Sequence, residues 1–406
     1  MYDAIIIGAR VAGSPLAMLL ARQGYKVLLT DKAVFPSDTI STHHIHQPGV
    51  LRLKRWGLLE EVRASNCPPL TEMSFDVGPF ALHGAPPPIE GVAEAFAPRR
   101  HVLDNILVRA AVEAGAELRE GFTVKELTRD ESGRVNGITG VTRNGTPVTE
   151  RARIVVGADG KHSMVAQSVQ APMYNERGKL CCNYYSYWSG VPLAGTELYV
   201  RERRMFVLDR TNDGLTMVGV VLPIGEFQRM RSDLENQFMK ELELNIPSAA
   251  ERLRAGKREE PIRGSADMPN FFRKPYGAGW ALVGDAGYNK DSITAQGITD
   301  SFKQAELLAE AIDAGFSGRR PLAEALAEYE QRRNEDAFPM YEMTCQLGAL
   351  EPPTAEMVEL FSALRTNREE TNRFLGLIAG TASAAEFYAP DNVRRIIEGA
   401  RRPLAA

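Results

Sequence analysis

The segment IIIGARVAG, residues 5–13, indicates how the chain begins to fold. Its apolar, β-branched start predicts a buried strand, and its two glycines predict a tight turn into a helix. We expect that helix over residues 14–23, followed by a second strand over residues 25–29 that leads to Asp31. Continuous apolar strands around an amphipathic helix are typical of a parallel sheet covered on both faces. The segment therefore predicts an α/β protein with a Rossmann-like unit at its N-terminus.

The same turn carries most of a nucleotide-binding pattern. Gly8 and Gly13 would aim backbone N–H groups at an anion beside the positive end of the helix. Asp31 follows at the end of the second strand, where an acidic side chain can bind the ribose hydroxyls of an adenosine. Arg10 replaces the middle glycine, which normally lets a pyrophosphate approach the backbone, and would instead offer its charge to a phosphate. A glycine turn in an ordinary βαβ unit remains the alternative.

Composition excludes several classes of protein. The chain has 406 residues with 44% hydrophobic and 25% charged, which is ordinary for a globular protein of two or three domains. A net charge of −4 argues against nucleic-acid binding, and no apolar run approaches the roughly 18 residues of a membrane span. The first strand begins almost at Met1, which leaves no room for a signal peptide. The four cysteines lack metal-ligand spacing, so we expect no metal site and a reducing cytoplasm.

The pattern along the chain predicts a second domain inserted into the first. Residues 67–98 are rich in proline, and residues 180–223 alternate aromatic and β-branched residues as an antiparallel sheet does. A buried strand over 280–283 and a helix over 298–312 resemble the strand and helix of the N-terminal unit. The last seventy residues are mostly helical. The expected boundaries are residues 1–66, 99–171 and 276–340 for the first domain, 67–98 and 172–275 for an antiparallel-sheet substrate domain, and 341–406 for a helical C-terminal extension.

Two further strand-to-loop junctions raise a family resemblance. The strand 154–156 runs into GADGKHS at 157–163, and the strand 280–283 runs into GDAGYNKDSITAQGITDSF at 284–302. With the first turn, and in this order, they resemble the FAD-dependent group A aromatic monooxygenases, the hydroxybenzoate-hydroxylase-like flavoproteins. Geranylgeranyl-type reductases and flavin-dependent halogenases share much of this framework. Judged singly, each aspartate in these loops also suits a turn or a helix cap.

The resemblance implies which residues bind FAD. The ADP half would lie along the first turn and the end of the second strand, at Gly8, Arg10, Ala12, Gly13, Asp31 and Lys32. Arg100 would lie along the cofactor, and Asp159 would serve both the cofactor and the incoming nicotinamide nucleotide. Gly284 and Asp285 would bind the ribityl or ribose-phosphate region. Gln296, Gly297 and Ile298 would lie under the flavin ring, where a helix N-terminus stabilises the negative charge of reduced flavin.

The resemblance also implies a reaction. FAD would be reduced by NADPH or NADH and would react with dioxygen to a flavin hydroperoxide, which hydroxylates a small aromatic or polyketide-type substrate. Ser292 and Ala295 stand where the family usually has a proline and a glycine. The GWxWxIP run of the halogenases and the cysteine-glycine cluster of the isoprenoid reductases are absent from the sequence. A reductase of isoprenoid double bonds and a nucleotide-binding flavoprotein without catalysis remain the alternatives, and the oligomeric state stays open.

A histidine cluster follows the second strand, in STHHIHQ at residues 41–47. If this segment is extended, His44 and His46 share one face, and His43 points the other way. A neutral imidazole here could accept the proton of a phenol and so activate the ring that is attacked. We therefore take all three as candidate catalytic residues. The alternatives are a loop histidine bonded to backbone and a metal site, for which no Cys, Asp or Glu stands at useful spacing.

Two other segments carry expectations. We expect Lys290 and Asp291 to form a solvated ion pair of little energetic value. The aromatic run at residues 184–188 predicts packing of an antiparallel sheet against its neighbours, with alternate members free to line a cavity over the flavin.

Overall fold

The computed structural model describes residues 1–401, which form nineteen strands and fourteen α-helices within that range. The strands are β1 (Tyr2–Ile7), β2 (Val27–Thr30), β3 (Met73–Asp76), β4 (Ala81–Gly84), β5 (Glu117–Arg119), β6 (Thr123–Arg129), β7 (Val135–Val141), β8 (Pro147–Gly157), β9 (Met173–Lys179), β10 (Cys181–Ser189), β11 (Thr196–Arg201), β12 (Arg204–Arg210), β13 (Thr216–Pro223), β14 (Lys257–Arg258), β15 (Arg263–Ser265), β16 (Pro269–Arg273), β17 (Tyr276–Gly277), β18 (Trp280–Leu282) and β19 (Tyr288–Asn289). The helices are α1 (Gly13–Arg22), α2 (Gln47–Trp56), α3 (Leu59–Ala64), α4 (Arg100–Glu113), α5 (Met164–Ser168), α6 (Phe227–Ser232), α7 (Leu234–Asn245), α8 (Pro247–Ala255), α9 (Gly297–Phe316), α10 (Leu322–Gly348), α11 (Ala355–Leu364), α12 (Arg368–Ala379), α13 (Ala384–Phe387) and α14 (Pro390–Arg401).

The first sheet has the order β17-β18-β8-β1-β2-β5, and β1, β2, β5, β8 and β18 run parallel. Alternate residues of β1 enter two different cores. Ala4 and Ile6 pack with α1, α4 and α9, whereas Ile5 and Ile7 pack with the β6–β7 hairpin and α5. Both faces are therefore covered, which explains why β1 is apolar throughout rather than alternating.

The second sheet has the order β14-β10-β13-β12-β11-β3-β4 and is antiparallel apart from the β11–β3 pair. On one face, even-numbered residues of β10 pack against the helices α6–α8, as the stacking of Trp188 on Phe238 shows. The β3–β4 end of the sheet packs against α11–α14. A third, small sheet joins β9, β16 and β19.

The predicted fold class is confirmed: the protein is α/β with a Rossmann-type unit, a separate antiparallel sheet and C-terminal helices. The helix expected over residues 14–23 is α1, one residue earlier at each end, and the helix expected over 298–312 extends to Phe316. The last five residues of the expected C-terminal extension, 402–406, lie outside the described residues. Among residues 1–401, no helix has both the length and the apolar character needed to cross a bilayer.

Candidate functional site

Three loops meet at one edge of the parallel sheet, because β1, β8 and β18 are neighbours and run in the same direction. A Cβ added to Gly8 would lie 2.3 Å from the carbonyl oxygen of Ala158, and one added to Gly284 would lie 2.7 Å from the Cβ of Ala12. A Cβ at Gly13 would lie 1.8 Å from the carbonyl oxygen of Gly8. Glycine is therefore needed at these positions to let backbone approach backbone, and the three predicted loops form one surface.

Asp31 and Arg10 both hold the first turn to its surroundings. The Asp31 carboxylate accepts hydrogen bonds from the backbone N–H of Ala9 and Ala33, each at 2.8 Å. The Arg10 guanidinium contacts the Asp104 carboxylate at 2.6 Å, and Arg100 donates to the other oxygen of Asp104 at 3.0 Å. Two arginines thus share one buried carboxylate, which leaves a net positive charge beside the turn. Lys32 is exposed to solvent.

Asp159 caps a helix while keeping one oxygen free. Its Oδ2 accepts from the backbone N–H of Met164 at 2.7 Å, at the start of α5. Its Oδ1 is buried and has no hydrogen-bond partner among residues 1–401, and burial raises the pKa of this carboxyl above its ordinary value. Asp159 therefore caps α5 through Oδ2, and its Oδ1 could accept a hydrogen bond from a ligand.

Asp285 lies in the loop after β18, at the same edge of the parallel sheet. Its side chain is exposed to solvent, yet surrounding protein raises its pKa while Lys161, Arg100 and Lys290 oppose that shift. Because the Asp285 side chain is exposed to solvent and yet surrounded by protein atoms, it lines a cleft. A polar cavity of about 220 Å³ opens beside it, lined by Gly284, Asp285, Tyr288, Lys290, Gly297, Asp300, Ser301 and Gln304.

The N-terminus of α9 borders this polar cavity. Gly297 is exposed, and no atom lies within 4 Å of the position of a Cβ there. Ile298 is buried in the core, so only its backbone faces the cleft, and the Gln296 side chain donates to the carbonyl of Ile378 at 2.7 Å. Ala295 adopts a left-handed conformation with φ of 53°, the region that favours the glycine usual in this position. The helix end is therefore open to a ligand on its N–H side.

The expected solvated pair of Lys290 and Asp291 is wrong. Lys290 pairs instead with Asp300, and both side chains are buried, with Lys290 only 3% exposed. Asp291 accepts from the backbone N–H of Ile293 at 3.0 Å and caps the 3-10 turn that precedes α9. Burial raises the pKa of Asp291 to about 6. The sequence places Lys290 and Asp291 side by side, but the short β19 strand ends there and their side chains point to different partners.

These features fit an FAD molecule. A glycine turn at a helix N-terminus suits a pyrophosphate, and the open end of α9 suits an anionic ring. The free oxygen of Asp159 supplies an acceptor for a hydroxyl group on the same surface. The described residues thus offer backbone donors and an acceptor of the kind that a dinucleotide needs.

A second, apolar cavity lies between the antiparallel sheet and the loop before α9. Its volume is about 690 Å³, counted with its open mouth, and Ser292–Ala295 form part of its wall. The loop that leads to Gly297 therefore borders both the polar cleft and this cavity. The lining residues are Thr42, His44, His46, Met73, Asn183, Tyr184, Tyr185, Thr196, Leu198, Met205, Val207, Asp209, Met217, Gly219, Val220, Val221, Ser292, Ile293, Thr294, Ala295 and Ile378.

Two of the three predicted histidines face the apolar cavity. His44 and His46 both line it, with ring centroids 4.3 Å apart, as expected for alternate residues of an extended segment. His46 Nε2 donates to the carbonyl of Thr294 at 3.1 Å, which ties the segment to the loop before α9. Burial, with the nearby His44, holds the pKa of His46 well below its ordinary value.

His44 is part of a hydrogen-bonded chain. Its Nδ1 lies 3.0 Å from Oδ2 of Asp209, and the other oxygen of Asp209 accepts from the Thr196 hydroxyl at 2.6 Å. Because a carboxylate can only accept, Nδ1 carries a proton, and in the neutral imidazole the lone pair then lies on Nε2. That Nε2 has no hydrogen-bond partner in the described part of the chain. The arrangement leaves His44 a proton acceptor in the wall of the cavity.

His43 lies on the other side of the segment, outside the cavity lining. Its Nε2 contacts the Tyr187 hydroxyl, and its backbone has a φ of 63°. Burial, with a contribution from Arg100 and Arg99, lowers the pKa of His43 to about 3. His43 is therefore uncharged and is separated from the cavity that His44 and His46 line.

The sequence analysis missed Asp209, Asp104 and Gly219. Asp104 stands four residues after Arg100 on α4, and that spacing was a usable signal for an ion pair. Asp209 is a buried polar residue near the end of β12, and its partner His44 is 165 residues away in the chain. The spacing of residues in the sequence contains no information about such a pair.

Comparisons with known proteins agree with the fit of this site to FAD. Residues 1–342 match the family model described as "FAD binding domain". The chain is 25% identical over 348 residues to the digeranylgeranylglycerophospholipid reductase of Methanocella arvoryzae, covering 82% of this chain and 83% of that one. It is 25% identical over 382 residues to the ubiquinone hydroxylase UbiL of Rhodospirillum rubrum, covering 86% and 81%. The structure of the flavin-dependent brominase Bmp2 superposes with a TM-score of 0.80 at 20% identity over 99% of both chains.

Proposed function

The chain belongs to the FAD binding domain family and is an FAD-dependent oxidoreductase, and from this premise we propose that it is a monooxygenase. It would use NADPH or NADH and dioxygen to hydroxylate a small aromatic or polyketide-type substrate. One observation carries this proposal: an apolar cavity with a proton acceptor, His44, in its wall shares a loop with the cleft that fits FAD. The similarity to a ubiquinone hydroxylase supports the same choice.

FAD, when bound and reduced, supplies the electrons that activate dioxygen. The residues of the chain position the substrate and keep water out. Through its Nε2, His44 would accept the proton of an aromatic hydroxyl, which raises the electron density of the ring. Asp209 keeps the imidazole in the tautomer that this requires. His46, bonded to Thr294, would hold the loop and the histidine segment together rather than exchange protons.

Water exclusion is assigned to the sheet and to the C-terminal helices. Ile378 of α12 lines the cavity, and its carbonyl accepts a hydrogen bond from Gln296 at the N-terminus of α9. This contact fastens the C-terminal helices to the cofactor side of the site. A dry cavity matters because oxygen-transferring intermediates are lost to hydrolysis or leak as peroxide in water.

The remaining assignments follow as proposals. Gly8, Arg10, Ala12, Gly13, Asp31 and Lys32 would hold the ADP half of FAD. Arg100 and Asp159 would lie along the cofactor, and Gly284 and Asp285 would bind its ribityl or ribose-phosphate region. Gln296, Gly297 and Ile298 would lie under the flavin ring. The nicotinamide donor would visit a groove near Asp159. The antiparallel sheet with α6–α8 would be a substrate domain inserted into the cofactor domain, with residues 341–406 as the helical extension. The protein would act in the cytoplasm.

Turnover of the FAD-loaded protein tests the reaction. We expect NAD(P)H oxidation to be stimulated by an accepted hydroxyarene, and ¹⁸O from ¹⁸O₂ to appear in the product. His44→Ala should lower product formation while FAD content stays at the wild-type level. Stimulated NAD(P)H oxidation that yields hydrogen peroxide alone, for every hydroxyarene tried, would refute hydroxylation.

A reductase of isoprenoid double bonds is the second candidate, because methionine and aliphatic residues are the largest group in the cavity wall. That reaction needs reduced flavin but no dioxygen. Anaerobic turnover with an isoprenoid alkene would establish it, whereas an absolute requirement for dioxygen would exclude it. Nothing in that reaction requires the pairing of His44 with Asp209, which is why hydroxylation is the first choice.

A further inference from the structure

We propose that the apolar cavity selects an uncharged aromatic ligand with one acidic hydroxyl group and rejects aromatic carboxylates. This inference rests on the proposed function, because it concerns the substrate of the same site. It goes further in naming the charge of the ligand and the atom of the protein that recognises it. Nε2 of His44 accepts the hydroxyl proton, and the opposite part of the cavity holds the apolar rings.

The first argument for an uncharged ligand is the distribution of charged residues around the cavity. Among its lining residues, all of which lie within the described range, there is no lysine and no arginine. Arg99 and Arg263 both lower the pKa of Tyr185, against the stronger effect of burial, and neither lines the cavity. Arg99 contacts Glu260 at 2.8 Å and Asp38 at 3.3 Å, and Arg263 lies 3.9–4.0 Å from the same two carboxylates.

On the side of the cavity next to α9, the nearby cation is also paired with a carboxylate. Lys290 acts on the titration of His46 but is paired with Asp300. The one carboxylate in the wall is that of Asp209, which would repel an anion. The histidines of the wall already have acceptors, Asp209 for His44 and the Thr294 carbonyl for His46. A bound carboxylate would therefore lose its hydration without gaining a lysine or arginine partner, which is costly.

The second argument, for a planar ring, is the flat shape of the cavity floor. Residues Leu198, Val207, Gly219 and Tyr185 form one row across β11, β12, β13 and β10. Gly219 stands in the middle of this row and leaves a flat floor where another residue would project into the cavity. A Cβ there would lie 2.7 Å from Cγ1 of Val207. Gly219 thus sets the space for a planar ring at the centre of the sheet.

The polar groups are placed at the edge of this floor. Asp209 lies two residues beyond Val207, on the same face of β12, and His44 contacts it. A planar ring over Gly219 would therefore direct a hydroxyl group toward His44. The ligand that fits is a neutral hydroxyarene, or an enol of the same shape, rather than a benzoate.

Binding of matched ligands tests the inference without relying on turnover. The FAD-loaded protein is titrated, in the absence of NAD(P)H, with 2-naphthol, 2-naphthoate and 2-methylnaphthalene, by calorimetry and by perturbation of the flavin spectrum. We expect 2-naphthol to bind about tenfold or more tightly than either of the other two. In His44→Ala, the advantage of 2-naphthol over 2-methylnaphthalene should fall to about twofold or less.

A second pair of variants tests the floor. Gly219→Ala should weaken 2-naphthol binding at least about threefold, since one methyl group narrows a well-packed space. Gly225→Ala serves as the control, because no atom lies within 4 Å of its Cβ position. Both variants should retain wild-type FAD content. Gly219→Ala should unfold at a lower temperature than Gly225→Ala, because its methyl group displaces Val207, so affinities are measured well below both unfolding transitions.

The outcomes separate the inference from the proposed function. Equal or tighter binding of 2-naphthoate, or an unchanged 2-naphthol advantage in His44→Ala, would overturn the inference. Binding as expected, followed by no ¹⁸O in any product when NAD(P)H and ¹⁸O₂ are added, would support the ligand class and overturn the proposed hydroxylation.

Discussion

Replacing Asp209 with asparagine should disable His44 without changing the shape of the site. The Asp209 side chain is 2% exposed and is held by two hydrogen bonds, from His44 Nδ1 at 3.0 Å and from the Thr196 hydroxyl at 2.6 Å. An asparagine has the same shape, and its amide oxygen can still accept from Thr196. Its NH₂ group would then face Nδ1 and donate to it, so the proton moves to Nε2, which can no longer accept one.

The expected size of the effect follows from this change of tautomer. General base catalysis typically contributes a factor of about 10² to 10⁴ in rate. We therefore expect Asp209→Asn to lower kcat/KM for a hydroxyarene at least about a hundredfold, or about 2.7 kcal/mol in transition-state stabilisation. Both hydrogen bonds of Asp209 are kept but become neutral, so the free energy of unfolding should fall by only about 0.5–2 kcal/mol.

The assay compares two substrates that differ in one group. A hydroxyarene must lose a proton to become fully activated, whereas the corresponding aminoarene activates the ring without losing one. Single-turnover oxygenation of both is measured with FAD-loaded wild type and variant. The ratio of hydroxyarene to aminoarene rates should fall about as much as kcat/KM does, with the aminoarene rate within about threefold of wild type.

An equal loss for both substrates would refute the reasoning, because it would mean that Asp209 supports the structure rather than the tautomer of His44. Asp313→Asn is the matched control. Asp313 also accepts a hydrogen bond from a neighbouring side chain, Tyr25 at 2.6 Å, but it lies on α9 outside the cavity lining. That variant should leave the ratio of the two rates unchanged.

Three further predictions concern stability and cofactor binding. Asp300→Asn leaves the buried Lys290 without its partner and should cost about 3–5 kcal/mol in urea unfolding. Gly13→Ala puts a methyl group 1.8 Å from the Gly8 carbonyl and should lower FAD content, read from the ratio of flavin to protein absorbance. Burial raises the pKa of Asp291 from 3.8 to about 6, so the folded protein binds that proton more tightly than the unfolded chain. Relative to Asp291→Asn, wild type should therefore lose about 3 kcal/mol of stability as pH rises from about 4 to about 8.

Each of these has a control and a contrary outcome. The double variant Lys290→Met/Asp300→Leu should recover most of the stability lost in Asp300→Asn, and a loss below about 1 kcal/mol in the single variant would contradict the buried pair. Gly399→Ala, where no atom lies within 4 Å of the Cβ position, should keep wild-type FAD content. A stability difference between wild type and Asp291→Asn that does not change with pH would show that Asp291 titrates normally.

Much of the cofactor side was predictable because it is local in sequence. The turn between β1 and α1, and the loops after β8 and β18, each follow an apolar strand that carries its own signal. Parallel strands end at the same edge of a sheet, so loops that are 150 and 276 positions from Gly8 were expected to meet there. The expected solvated pair of Lys290 and Asp291 failed for the opposite reason. Lys290 follows the end of β19 and pairs with the buried Asp300, whereas Asp291 caps the 3-10 turn before α9.

The sequence by itself determined the α/β class, the order of the three cofactor loops and the alternation that puts His44 and His46 on one face. These depend on the period of a strand or helix and on the conformations that glycine permits, which a few neighbouring residues set. Only the tertiary structure decided that Asp209 meets His44 and that Gly219 forms the floor of a cavity without a cation. Such contacts depend on how two sheets and a loop are packed, and packing joins residues that chain spacing does not relate.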